Sequence, residues 1–255
     1  MSRVVLITGA CGGIGRVLCE RFAAQGDHVL ALDRDAQQLA ALAASIAHCT
    51  PLQADITDAA ATKAAVYAAV ARHGAVEVLV ANAGAAACST LAATTAESWH
   101  ADIDLNLHGT YNTVEAVRPA MLERGQGCIV LIGSVNGLTA LGHPAYSAAK
   151  AALVSYTKAL ALESGRRGVR ANIVCPGTVK TQAWQARVDK DPQILEKLKK
   201  WYPLGDFATP DDIADAALFL SSSAARVITG VALPVDGGLM AGNRVMAQEL
   251  TLEDF

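Results

Sequence analysis

Short apolar runs rich in Val, Ile and Leu alternate with longer Ala-rich stretches from one end of the chain to the other. The runs at 3–8, 28–33 (HVLALD), 76–81 (VEVLVA), 128–134 (CIVLIGS) and 169–175 are mostly apolar, which predicts strands buried on both faces, with a short strand within 50–55 and a last strand near 231–235. Between them, Ile14, Val17, Leu18, Arg21 and Phe22 recur at helical spacing, which predicts a helix over 13–25. Further helices are predicted over 35–47, 58–73, around 96–123 and over 146–164. Strands separated by helices predict a parallel sheet of about seven strands with helices on both faces, a doubly wound α/β fold. No repeat or low-complexity linker divides the 255 residues, so a single domain over 1–255 is expected. The segment 178–207 breaks the rhythm, being rich in Lys, Asp, Gln and Trp with Pro192 and Pro203. It reads either as a substrate loop or as a pair of solvated surface helices.

Composition narrows the classes. Hydrophobic residues make up 52% and charged residues 18%, enough for a core and too apolar for disorder. A net charge of -3 with scattered basic residues gives no basis for nucleic-acid binding. No apolar run is long enough to cross a bilayer, and VVLI is too short for a signal segment. Cys11, Cys19, Cys49, Cys88, Cys128 and Cys175 form no CxxC pair and no metal spacing, so reduced thiols and a cytoplasmic setting are expected, with no metal.

The stretch after the first strand, Thr8-Gly9-Ala10-Cys11-Gly12-Gly13-Ile14-Gly15, opens the first helix. A strand feeding a glycine loop at a helix start suits a diphosphate: free N–H groups and the positive end of the helix dipole face the anion. Glycine lets backbone approach phosphate closely. The next strand ends in Asp33, placed to meet ribose hydroxyls in a dinucleotide fold.

The order of these pieces resembles the short-chain dehydrogenases/reductases. TGxxxGxG (Thr8, Gly9, Gly13, Gly15) is followed by Asp55, Asn82-Ala83-Gly84, Asn106, Ser134, Tyr146-Ser-Ala-Ala-Lys150, Pro176-Gly177, Thr181 and Val235-Asp236-Gly237-Gly238. The one departure is Ala81, where the family often has a second asparagine. The resemblance implies a Rossmann-type domain and four catalytic residues, Asn106, Ser134, Tyr146 and Lys150. It also implies dinucleotide contacts at Gly9, Cys11, Gly12, Gly13, Ile14, Gly15, Asp33, Arg34, Asp55, Ile56, Asn82, Ala83, Gly84, Tyr146, Lys150, Pro176, Gly177, Val179 and Thr181.

Tyr146 and Lys150 lie one helical turn apart on one face. A phenol titrates near ~10, and a neighbouring ammonium is expected to lower that value, letting Tyr146 exchange a proton with an alcohol or carbonyl. Ser134, at a strand end, either holds the substrate oxygen or merely begins a turn. For Asn106 the resemblance implies a water held next to Lys150. Asp33 favours NAD over NADP by repelling a 2′-phosphate, while Arg34 is the feature that would reach one. Asn136, Leu138, His143 and Trp184 fall in stretches resembling substrate-pocket walls, although His143 also suits an exposed helix entry. The lysines at 190, 197, 199 and 200 read as a solvated face, with attraction of a carboxylate or phosphate as the alternative. The reaction implied is NAD(H)-dependent interconversion of a small secondary alcohol and a ketone. The alternatives are a 3-oxoacyl-(acyl carrier protein) reductase, with Arg118 and Arg124 meeting the carrier, and a non-catalytic dinucleotide sensor or scaffold. The family resemblance further implies a homotetramer.

Overall fold

The computed structural model describes residues 2–181 and 184–254, so the predicted loop over 178–207 is described on both sides of 182–183. Seven strands form one parallel sheet in the order β3-β2-β1-β4-β5-β6-β7. They are β1 (Val4–Thr8), β2 (His28–Asp33), β3 (Cys49–Gln53), β4 (Val78–Ala81), β5 (Gly127–Ile132), β6 (Val169–Pro176) and β7 (Ala232–Val235). The helices are α1 (Gly13–Ala24), α2 (Ala36–Ser45), α3 (Ala59–His73), α4 (Ala96–Ile103), α5 (Gly109–Arg124), α6 (Pro144–Ser164), α7 (Gln185–Val188), α8 (Ile194–Lys199), α9 (Pro210–Ser221) and α10 (Arg244–Thr251).

The alternation of side chains along each strand builds two cores at once. Val5 and Ile7 of β1 face one way, onto Leu18 and Phe22 of α1, Leu39 of α2 and Ile213 of α9. Val4 and Leu6 face the other way, onto Val66 of α3, Val114 and Met121 of α5 and Leu153 of α6. Each fully buried Leu or Ile contributes about 1.5–3 kcal/mol, which is why apolar runs without a polar face are strands here. The chain winds outward from β1 to β3 and then crosses back to β4 beside β1. That reversal is the switch point of the sheet, and ligands of such folds sit beyond the strand C-termini there.

Strand and helix ends differ from the sequence expectation by one or two residues, as with β4, which begins at Val78 rather than 76. α9 and α10 were not anticipated. α9 is nonetheless well specified: Thr209 and Asp212 close a capping box around Pro210 at the helix start. α4 and α5 are joined by a π-helical turn, Asp104–His108, with Asn106 inside it. Among the described residues, no helix is long and apolar enough to cross a membrane.

Candidate active site

The glycine loop is latched to the switch point. The Thr8 hydroxyl accepts from the backbone N–H groups of Asn82 at 3.0 Å and Ala83 at 3.1 Å. The Asn82 amide donates back to the carbonyls of Thr8 at 3.0 Å and Gly9 at 3.2 Å. These bonds tie the ends of β1 and β4 together and leave little room. Gly9 has φ +63°, and a Cβ there would lie 2.8 Å from Ala83 Cα. At Gly15 a Cβ would lie 2.0 Å from the Gly9 carbonyl oxygen. The first turn of α1 carries no side-chain cap and no acidic residue. Its N–H groups and dipole therefore face an open cleft.

At the end of β2, the Asp33 carboxylate is fixed by backbone donors. Cys11 N–H donates to Oδ2 at 3.0 Å, and Arg34 N–H donates to Oδ1 at 2.8 Å. The Arg34 side chain is exposed beside it. A cleft of ≈ 480 Å³ runs along these residues, lined by Gly9, Gly12, Gly13, Ile14, Gly15, Asp33, Arg34, Ile56, Asn82, Ala83 and Gly84. It continues past Ser134, Tyr146, Lys150, Pro176, Gly177, Val179, Thr181 and Trp184. Three expected contact or catalytic residues stand outside this lining. Cys11 contributes its backbone donor to Asp33. Asp55 accepts from the Thr57 N–H and hydroxyl, at 2.9 and 2.8 Å. Asn106 lies behind Gly84. Leu32, Ala85, Leu105, Ile132 and Gly133 also line the cleft and were not anticipated. All sit at or near strand ends or under the crossing to α5, positions that give no signal until the strands are aligned.

The reacting groups converge on the far wall. Lys150 is buried, and its Nζ donates to the Ile132 carbonyl at 2.9 Å while standing 5.4 Å from the centre of the Tyr146 ring. Asn106 is fully buried in the π turn, with its Nδ2 donating to Ala85 O at 2.7 Å and Asp102 O at 2.8 Å. Its Oδ1 is buried and has no hydrogen-bond partner among the described residues. A Cβ on Gly84 would lie 2.6 Å from that Oδ1 and 3.2 Å from Lys150 Nζ. Glycine is required at 84 because the amide oxygen and the ammonium close in on its backbone. The orphaned acceptor next to the lysine suits a bound water.

Charge tuning departs from the sequence expectation. Burial pushes the Tyr146 phenol above its usual value, and the nearby Ser134 hydroxyl opposes this only in part. Lys150 is itself pulled down to about 8 by burial. The expected lowering of the phenol by the ammonium is therefore corrected: burial raises the phenol, and Lys150 is not among the groups that shift it. Any phenolate at neutral pH needs a further positive charge in the cleft.

A second cavity, of ≈ 780 Å³, opens beside the first, and Gly177 and Trp184 line both. Asn136 and His143 line it, whereas Leu138 does not; Thr139 and Leu141 do. The segment expected over 178–207 is pinned by a Val179–Ala208 bridge and by the Tyr202 hydroxyl donating to Thr178 Oγ1 at 2.7 Å. It carries the short helices α7 and α8, and its Trp184, Arg187, Leu198, Trp201 and Tyr202 line the second cavity. Lys197 pairs with Asp191 and Lys199 with Glu196, so these lysines are neutralised on the surface. Arg118 pairs with Glu115, and Arg124 donates to the Val76 carbonyl.

A dinucleotide fits this cleft. The glycines form a cradle that a Cβ would fill, the start of α1 has uncapped donors, and a fixed carboxylate stands at the end of β2. Among the described residues, no cluster of His, Cys, Asp or Glu suits a metal.

Known proteins resemble this chain along nearly its whole length. A family model described as enoyl-(acyl carrier protein) reductase matches residues 9–240. An oxidoreductase of the short-chain dehydrogenase/reductase family from Burkholderia thailandensis is 63% identical, with a TM-score of 0.95 over 100% of this chain and 99% of that one. An uncharacterized oxidoreductase of Schizosaccharomyces pombe is 45% identical over 99% of this chain and 96% of its own. A D-threitol dehydrogenase of Mycolicibacterium smegmatis is 39% identical over 93% and 92%. A gluconate 5-dehydrogenase of Burkholderia cenocepacia, solved with NADP and tartrate, is 34% identical, with a TM-score of 0.89 over 95% and 97%.

Proposed function

The chain belongs to the short-chain dehydrogenase/reductase family, and on that premise we propose that it is an NAD(H)-dependent oxidoreductase interconverting a secondary alcohol and a ketone, with Tyr146 as the acid/base. The observation that carries this reading is the convergence of Ser134, Tyr146 and Lys150 on one wall of the glycine-loop cleft, with Asn106 behind it. When bound, the oxidised dinucleotide supplies the hydride acceptor and a positive charge within the site. Loop N–H groups at the start of α1 hold the diphosphate. The Ser134 hydroxyl donates to the substrate oxygen, and the bond strengthens as charge develops there. Tyr146 takes the hydroxyl proton during oxidation and returns it during reduction. Lys150, anchored on the Ile132 carbonyl, adds positive potential near the phenol, and the unpartnered Asn106 Oδ1 holds a water through which the pair reaches solvent.

The preference for NAD rests on Asp33. A carboxylate fixed by two loop and strand N–H groups cannot swing away, so a 2′-phosphate would meet a like charge. Initial rates with both nicotinamides across a panel of alcohols and ketones test this. Wild type is expected to favour NAD in kcat/KM, and Asp33→Ser is expected to narrow that ratio on the order of 10- to 100-fold, the worth of a charge-assisted hydrogen bond. A wild-type preference for NADP, or an unchanged ratio in the variant, would remove Asp33 from this role.

A further inference from the structure

The second cavity contains one cation that the reaction outlined above does not use. Arg187, on the short helix α7, lines it together with His143, Asn136 and Trp184. No acidic residue is among the described lining, and the guanidinium has no ion-pair partner among the described residues. Instead it stacks on the Trp184 ring, 4.7 Å from its centre, and meets His143 Nε2 at 3.1 Å.

The imidazole is held to this task. His143 Nδ1 lies 3.0 Å from the Cys88 carbonyl oxygen, which can only accept, so Nδ1 carries the proton and Nε2 accepts from Arg187. Its backbone sits at φ +53°, a conformation non-glycine residues rarely adopt, and its N–H donates to the Ser89 carbonyl at 3.0 Å. Strain of this kind persists only where surrounding bonds enforce it, and it often marks a functional position. The same ring packs edge-on against Tyr146, with centres 6.4 Å apart. One imidazole thus separates the phenol from a positioned guanidinium.

We propose that the substrate is a short hydroxy acid, with its oxo acid as the product, whose carboxylate docks on Arg187 while its alcohol carbon faces Tyr146. This rests on the oxidoreductase reading above. Trp184 covers one face of the guanidinium and His143 takes an Nη2 donor, and the N–H edge that remains matches a carboxylate. A single lining cation with no lysine beside it matches one negative charge better than a phosphate dianion. His143 acts here as a positioning residue.

Initial rates with saturating NAD are compared for glycerate, threonate and gluconate, each beside its neutral polyol, and for glycerol 3-phosphate. The acids are expected to exceed the polyols in kcat/KM. Arg187→Met is expected to lower kcat/KM for the acids on the order of 10- to 100-fold, mostly through KM, with a loss of no more than a few-fold on the polyols. Arg187→Lys restores part of the loss. Polyols turned over as well as acids, equal losses on both, or a preference for the phosphate ester would each overturn the proposal while leaving the oxidoreductase reading intact. Titration calorimetry of threonate into the NAD-loaded protein reads the same site without turnover. Binding that Arg187→Met abolishes supports the acid site even if no alcohol is oxidised, and absence of binding by every acid overturns it.

Discussion

Tyr146→Phe is expected to lower kcat about 100- to 10,000-fold in both directions while leaving dinucleotide binding within a few-fold of wild type. The substitution removes one hydroxyl and keeps the ring that His143 packs against edge-on. It also leaves Lys150 on the Ile132 carbonyl and the glycine cradle untouched. Binding and chemistry should therefore separate cleanly, with cofactor affinity read by fluorescence titration and turnover by absorbance of the reduced nicotinamide. A non-catalytic dinucleotide sensor would show no turnover in wild type and no change on substitution. Oxidation proceeding at the wild-type rate in the variant would exclude the phenol as acid/base.

The other large effect lies in the loop. Gly15→Ala places a Cβ 2.0 Å from the Gly9 carbonyl oxygen, a backbone atom held in turn by Gly12 N–H and the Asn82 amide. The loop must shift, and the shift breaks the approach on which phosphate binding depends. Overpacking of this kind costs about 1–3 kcal/mol or more in stability. The expected outcome is loss of measurable dinucleotide binding together with a lower Tm. Gly12→Ala is the contrast. Its added Cβ meets only the Gly9 oxygen at 3.4 Å, an ordinary contact, so thermal stability should hold. Equal Tm values for the two variants would mean that the crowding at Gly15 is not real.

Much of this architecture was legible because it follows from local chemistry. Short β-branched apolar runs bounded by turn residues favour buried strands, and Val5 and Leu6 do face opposite cores. The loop from Thr8 to Gly15, Asp33 at a strand end and a phenol and amine one turn apart were readable from spacing alone. What escaped depends on packing between distant segments. The phenol's upward shift comes from burial, which spacing does not reveal, so charge proximity was given too much weight. The π turn that sets Asn106 against Gly84 arises from one extra residue in a helical run, invisible to periodicity. α9 had a visible signal in Thr209-Pro210-Asp211-Asp212, a capping box at the helix start. Arg187 gave none: one arginine in a Lys-rich segment differs from its neighbours only once Asp191 and Glu196 have claimed Lys197 and Lys199.

The central claim is that Tyr146 gains and loses the proton, held up by burial and brought down by positive charge. The pH dependence of kcat/KM in the two directions tests it most directly. Oxidation needs the phenolate in the NAD complex, so its rate should rise with pH through the group's titration; reduction needs the phenol in the NADH complex, so its rate should fall with pH, with its limb at higher pH because the reduced ring carries no positive charge. Lys150→Met removes an amine that is charged only below about pH 8, so the oxidation limb, lowered into that range by the oxidised ring, should move to higher pH. Limbs of the same sign in both directions, or an oxidation limb that stays in place when the lysine is gone, would contradict the account.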